Sequence, residues 1–249
     1  MSLRSTTLGG LSCVLVDQLP QGQVPQLIVI ICHGFGAPGT DLVPLGHEVL
    51  RLSPKLAETI RLVFPAAPLS LDEFGMVGGR AWWHLDINRL TQAIESGELR
   101  DLRENLPDDL PQARQMLLSL IEDVQRETEL PMSRLVLGGF SQGSMLATDV
   151  ALRLPEAPAA LCIWSGTLLC ESIWKELAAK RDKLMVLQSH GHQDPVLPFE
   201  GGIWLRDLLR NAGASVEFIE FDGVHTIPAE AVHRFATLLE RLLIRETSN

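Results

Sequence analysis

The segment Leu135-Val136-Leu137-Gly138-Gly139-Phe140-Ser141-Gln142-Gly143-Ser144-Met145-Leu146 decides the architecture. An apolar, strand-like run ends in Gly139-Phe140-Ser141-Gln142-Gly143, and an apolar-periodic helix pattern begins at once. That strand–turn–helix setting is what a G-x-S-x-G turn requires if its serine is to be a nucleophile. The glycines have a steric purpose. A sharp turn presses neighbouring backbone against the serine, where a Cβ would collide. The Ser141 hydroxyl is thereby lifted out of the sheet to the N-terminus of the next helix, whose partial positive charge favours a developing anion.

Downstream, a serine of this kind needs a carboxylate and then a histidine, in that chain order. His190, His192, His225 and His233 follow Ser141. His233 falls inside a helical pattern. His225 lies between an apolar strand-like run, 216–221, and that helix, on a loop at the strand's C-terminal end, where ligand sites gather in open α/β sheets. His225 is therefore the candidate base. Asp194, just past the strand-like run 184–187, is the candidate acid, able to hold the imidazole tautomer and stabilise the imidazolium. Asp222 is the rival, only three residues from His225, but it would have to fold back from the same loop. A metal reading of His190, His192 and Asp194 lacks a fourth ligand of matching context, so no metal is expected.

Upstream, the strand-like run 26–32 leads into His33-Gly34-Phe35-Gly36-Ala37-Pro38-Gly39-Thr40-Asp41. Acyl transfer through a tetrahedral intermediate needs backbone N–H groups already facing the oxyanion, and a glycine-rich loop lets backbone approach that closely. The expected donors are the amides of Gln142, next after the serine, and Phe35. Gly34, Gly36 and Gly39 also match the dinucleotide spacing G-x-G-x-x-G, but Pro38, Pro44 and the lack of a glycine-to-helix entry argue against it. No cofactor is expected.

Short apolar runs at 26–32, 62–64, 134–137, 160–164, 184–187 and 216–221 alternate with helical patterns at 111–127, 142–153, 171–179, 200–211 and 229–244. Runs without polar alternation are strands covered on both faces, so a mostly parallel sheet with helices on both sides is predicted, in one domain over 1–249. Residues 71–111 break the rhythm. They are charge-rich, carry Gly78-Gly79-Arg80-Ala81-Trp82-Trp83 and then a weak helical pattern (Ile87, Leu90, Ile94). They are expected to form a lid-like or rim elaboration, being too short for a second core.

With 46% hydrophobic and 21% charged residues, the chain is composed as a packed enzyme and not as a disordered segment. A net charge of −10 without any Lys/Arg run excludes nucleic acid and anionic lipid as expected partners. Four scattered cysteines (Cys13, Cys32, Cys162, Cys170) and an N-terminal stretch without a signal-like apolar region predict a reducing, cytoplasmic setting. No apolar run is long enough to span a bilayer. Monomer and homodimer both remain open.

The four blocks HGFGAPGTD (33–41), GFSQGS (139–144), HGHQDPVLP (190–198) and GVH (223–225) resemble, in content and order, the phospholipase/carboxylesterase family, which includes acyl-protein thioesterases and lysophospholipases. The resemblance runs from about residue 26 to the end. It implies an α/β-hydrolase fold without a large cap domain, a Ser141–Asp194–His225 triad and an oxyanion hole at Phe35 and Gln142. Gly79–Trp83 resembles a family segment near the acyl pocket, so Trp82 and Trp83, with Leu197, are expected to bind the acyl chain. The chain departs from the family in having Val224 where glycine is usual and a longer, more charged 84–111. The expected activity is hydrolysis of short- to medium-chain carboxylic esters, with acyl-protein thioesters or lysophospholipids as alternatives. A non-catalytic small-molecule binder on the same fold is the rival of another class.

Overall fold

Every residue of the strand Leu27–Cys32 (β3) is buried, and its side chains divide strictly by parity. Ile28, Ile30 and Cys32 enter one hydrophobic cluster, while Leu27, Val29 and Ile31 enter the other. Alternate side chains on a strand leave opposite faces, so a run with no polar position must have cover on both sides. The computed structural model describes residues 2–85, 92, 96 and 103–244. Among them, eight strands form one sheet. Six are mutually parallel: β3, Ile60–Pro65 (β4), Leu135–Phe140 (β7), Ala160–Trp164 (β8), Met185–Gly191 (β9) and Ser215–Phe221 (β10). Their spatial order is β4-β3-β7-β8-β9-β10. The chain steps from β3 to β4 on one side and then crosses to β7 on the other. The gap between the carboxyl ends of β3 and β7 is therefore the switch point at which open α/β sheets bind ligands.

The helices Leu110–Thr128 (α3), Gln142–Arg153 (α4), Glu171–Ala178 (α5) and Phe199–Asn211 (α6) cover one face. Val43–Leu52 (α1), Pro54–Thr59 (α2) and Ala229–Ile244 (α7) cover the other. Both α4 and α7 have the bounds expected from their apolar periodicity.

Two features differ from expectation. An antiparallel hairpin, Ser2–Leu8 (β1) and Leu11–Asp17 (β2), extends the sheet beyond β4. Its Gly9-Gly10 turn takes φ of 56° and 76°, the left-handed pair a two-residue hairpin loop needs. The helix α1 opens four residues after Gly39, with Pro44 in its first turn. Proline there removes only an N–H that has no intrahelical acceptor in any case, so Pro44 starts this helix instead of forbidding it.

Leu69–Ser70 (β5), just before the 71–111 region, and Arg80–Ala81 (β6) within it pair as a small antiparallel ribbon. The helical pattern read at Ile87, Leu90 and Ile94 lies outside the described residues. No helix among the described residues is long and apolar enough to cross a membrane.

Candidate active site

Ser141 sits between β7 and α4 with φ 52° and ψ −121°, a conformation a non-glycine residue adopts only when its surroundings enforce it. Its N–H donates to the Trp164 carbonyl on β8 (2.8 Å), and its own carbonyl accepts from the Ser144 hydroxyl (2.7 Å) and amide (3.0 Å). A Cβ on Gly143 would overlap the backbone carbonyls of Cys32 and His33, and one on Gly139 would fall 2.6 Å from the Ser144 nitrogen. Gly143 is thus demanded by packing of α4 against the end of β3, and Gly139 by the tightness of the turn itself.

His225 and Asp194 come from loops after β10 and β9, and they meet. His225 Nδ1 donates to Asp194 Oδ2 at 2.6 Å. Asp194 Oδ1 accepts the amides of Val196 and Leu197, both at 2.9 Å. Burial by itself would raise the carboxyl's pKa, but hydrogen bonds from His190, His225 and the Leu197 amide outweigh it and hold the group well below the usual carboxylate range. Asp194 is therefore an anion at any working pH. The imidazole of His225 lies 4.7 Å, centroid to centroid, from the Phe140 ring. His225 and Ser141 line the same cavity, and the Ser141 hydroxyl makes no side-chain hydrogen bond among the described residues.

Asp222 turns away. It pairs with exposed His192 (2.9 Å), which also meets Glu220 (3.1 Å), and the two carboxylates raise the His192 pKa. Of the three residues in the metal reading, only His190 and Asp194 approach one another. No cluster of three or more His, Cys, Asp or Glu side chains suited to a metal is formed among the described residues.

The cavity holds about 590 Å³ and runs across the switch point. Phe35, Gln142, Trp83 and Leu197 line it. The amides of Phe35 and Gln142 have no backbone acceptor among the described residues. Gln142 is the first residue of α4, where an N–H has no intrahelical partner. Trp82, expected as a wall, does not line the cavity. It is fully buried, its indole N–H donates to the His33 carbonyl (2.9 Å) and its amide to Gln142 Oε1 (2.9 Å). Gln142 Nε2 in turn donates to the Trp83 carbonyl (2.8 Å), so this one side chain clamps the Trp pair to the head of α4.

His33 secures the other side of the loop. Its Nε2 accepts the Ala67 amide (3.0 Å), which leaves the proton on Nδ1, donated to the Gly34 carbonyl (2.8 Å). Burial pushes its pKa below the ordinary value, so it stays neutral.

Sequence reasoning missed Met145, Leu168 and Trp204, which supply much of the cavity's apolar wall. Met145 and Trp204 sit in helices whose periodicity marks them as core, and nothing local distinguishes a cavity wall from a core contact. Arg103 reaches the same wall, its guanidinium 4.8 Å over the Trp204 ring and 3.2 Å from Glu171.

Comparison with known proteins places the chain among related sequences and folds. Over 199 residues, 79% of this chain and 78% of the relative, the sequence is 31% identical to acyl-protein thioesterase 1 of Neurospora crassa. It is 30% identical over 182 residues to acyl-protein thioesterase 1 of Eremothecium gossypii, spanning 73% of this chain and 72% of that one. The crystal structure of esterase PE8 matches with a TM-score of 0.75 at 26% identity, covering 97% of this chain and 100% of the other. The sequence pattern of the phospholipase/carboxylesterase group matches residues 19–243. With the fold, the elbow and these matches together, the chain belongs to the phospholipase/carboxylesterase family.

Proposed function

We propose that this protein hydrolyses carboxylic esters of short to medium acyl length through an acyl-enzyme on Ser141. As a member of its family the chain is a hydrolase of the esterase type. The observation that carries the mechanism is the 2.6 Å His225–Asp194 hydrogen bond on the cavity that Ser141 faces. With its Nδ1 proton held by Asp194, His225 presents Nε2 as the base. It takes the Ser141 proton as the oxygen attacks the substrate carbonyl. The carbonyl oxygen becomes an oxyanion between the Phe35 and Gln142 amides, near the positive end of α4. Collapse breaks the bond to the alcohol, which leaves with the proton from His225. Water, deprotonated by the same imidazole, then releases the acid and restores Ser141.

Trp83, Leu197, Met145, Leu168 and Trp204 give the acyl chain apolar walls, with Leu85, Arg103 and Leu106 at the rim of a single catalytic domain. Two relatives named acyl-protein thioesterase favour a second reading, in which the leaving group is a thiol. The chemistry at Ser141 is unchanged. Four free, buried cysteines accord with a reducing cytoplasmic setting.

Ser141→Ala is expected to abolish turnover of p-nitrophenyl acyl esters and labelling by a fluorophosphonate, with the near-UV circular dichroism spectrum retained. Full turnover in that variant refutes the assignment. Paired oxygen and sulfur esters of one acyl chain rank the two leaving groups.

A further inference from the structure

The mechanism leaves two buried histidines unused, His33 and His190, and the second touches the triad. His190, on β9, is fully buried, and its Nε2 lies 2.7 Å from the Leu197 carbonyl and 3.4 Å from Asp194 Oδ2. Both neighbours of that nitrogen are acceptors, so Nε2 carries the ring proton. Its Nδ1 has no partner among the described residues. The ring is seated by a close approach from α6. A Cβ on Gly202 would fall 2.5 Å from His190 Nδ1, so only glycine lets the helix press this close. Gln188, on the same face of β9, donates to the Gly202 carbonyl at 2.8 Å and fixes the helix there.

We infer that His190 is a positioning residue for this reaction, acting through Asp194. The Nε2–H donates to the Leu197 carbonyl and holds the ring edge 3.4 Å from Asp194 Oδ2, so the ring sits between the acid and the loop that also supplies a cavity wall. The Val196 and Leu197 amides already hold Asp194 Oδ1. The carboxylate thus has two amides on Oδ1 and, at Oδ2, His225 as donor with the His190 ring packed beside it, which restrains it from swinging about its Cβ–Cγ bond. His190 and His225 are the titratable side chains in contact with Asp194 among the described residues. His190 thus withdraws part of the negative charge that His225 would otherwise receive in full.

The inference rests on the proposed triad, and the test separates the two. The full-length protein and its H190L, H190N and H190Q variants are titrated with a fluorophosphonate, and kcat per labelled site is measured across pH. Glutamine can place an amide N–H near the lost Nε2–H. Leucine has no donor, and asparagine is too short to reach. H190L is expected to lose about tenfold to a hundredfold in kcat per site, the usual penalty for a misplaced reacting group. Its acid limb should move to higher pH, because Asp194 then gives its charge to His225 alone. H190Q should recover most of both effects. If H190L does not fold, H190N against H190Q makes the same comparison. A purely structural role predicts a lower melting temperature with kcat per site and the acid limb within twofold of the parent, and that result overturns the inference. Parent protein that neither labels nor turns over would defeat the triad itself, and this inference with it.

Discussion

Replacing Asp194 by asparagine separates geometry from chemistry, because the structure dictates how the new amide must sit. Oδ1 accepts two backbone N–H groups, from Val196 and Leu197, each at 2.9 Å. Only the amide oxygen satisfies both, so the NH₂ is forced to the Oδ2 position, facing His225 Nδ1 at 2.6 Å. Two donors cannot share that contact. His225 must turn Nδ1 into an acceptor and carry its proton on Nε2, the atom required as base. The loop stays anchored and the cavity unchanged, so KM should move little while kcat falls by about 10⁴, the scale of a wrong-tautomer defect. That is about 5.5 kcal/mol of transition-state stabilisation. The assay is kcat and KM on p-nitrophenyl butyrate, corrected for labelled sites, with D222N as the control. Asp222 is directed to His192 and is mostly exposed, so D222N should remain within twofold of the parent. Activity of D194N within tenfold of the parent, or a large loss in D222N, would refute the reasoning.

Three further outcomes follow from the packing. Gly143→Ala gains about 1 kcal/mol of helix propensity, yet its Cβ meets the backbone carbonyls of Cys32 and His33; the clash should win, with a lower melting temperature and lost turnover, and a raised melting temperature would count against the elbow geometry. Gln142→Met keeps the volume but leaves the Trp82 amide and the Trp83 carbonyl unpaired; at about 1–3 kcal/mol for each buried group, urea unfolding should show a loss of about 2–6 kcal/mol, and a change under about 0.5 kcal/mol would contradict the clamp. For His33, the folded pKa lies below the ordinary 6.5, so below that pH the unfolded chain binds a proton that the native one refuses, and stability falls with pH by at most about 1.4 kcal/mol per unit. The difference in slope between parent and H33Q from about pH 7.5 to about 5.5 isolates this effect from the opposing one of His192. The depressed Asp194 acts only lower down, its stabilisation present above about 3.8 and lost as pH falls towards its folded value.

Local pattern carried a great deal. The parallel strands, the bounds of α4 and α7 and the elbow all follow from side-chain period and from glycines whose absent Cβ atoms are sterically required. The β1–β2 hairpin was less legible because Ser2–Leu8 is a largely polar edge strand, with no continuous apolar run to mark it. The helix α1 hid behind Pro44, whose cost depends wholly on whether it stands in the first turn or the interior.

What the sequence by itself determined, then, was which residue types were competent and on which elements they stood: a serine at a strained turn, a histidine and two aspartates on loops at one end of the sheet. The folded chain decided between the aspartates, sending Asp194 to His225 and Asp222 to His192. It also decided between adjacent tryptophans, giving Trp83 to the cavity and Trp82 to His33 and Gln142. The physical reason is the range of the forces involved. Turn sterics and side-chain period act over a few neighbouring residues, whereas hydrogen bonds and cavity walls join residues tens to more than a hundred positions apart, and those distances exist only once the sheet has ordered its strands.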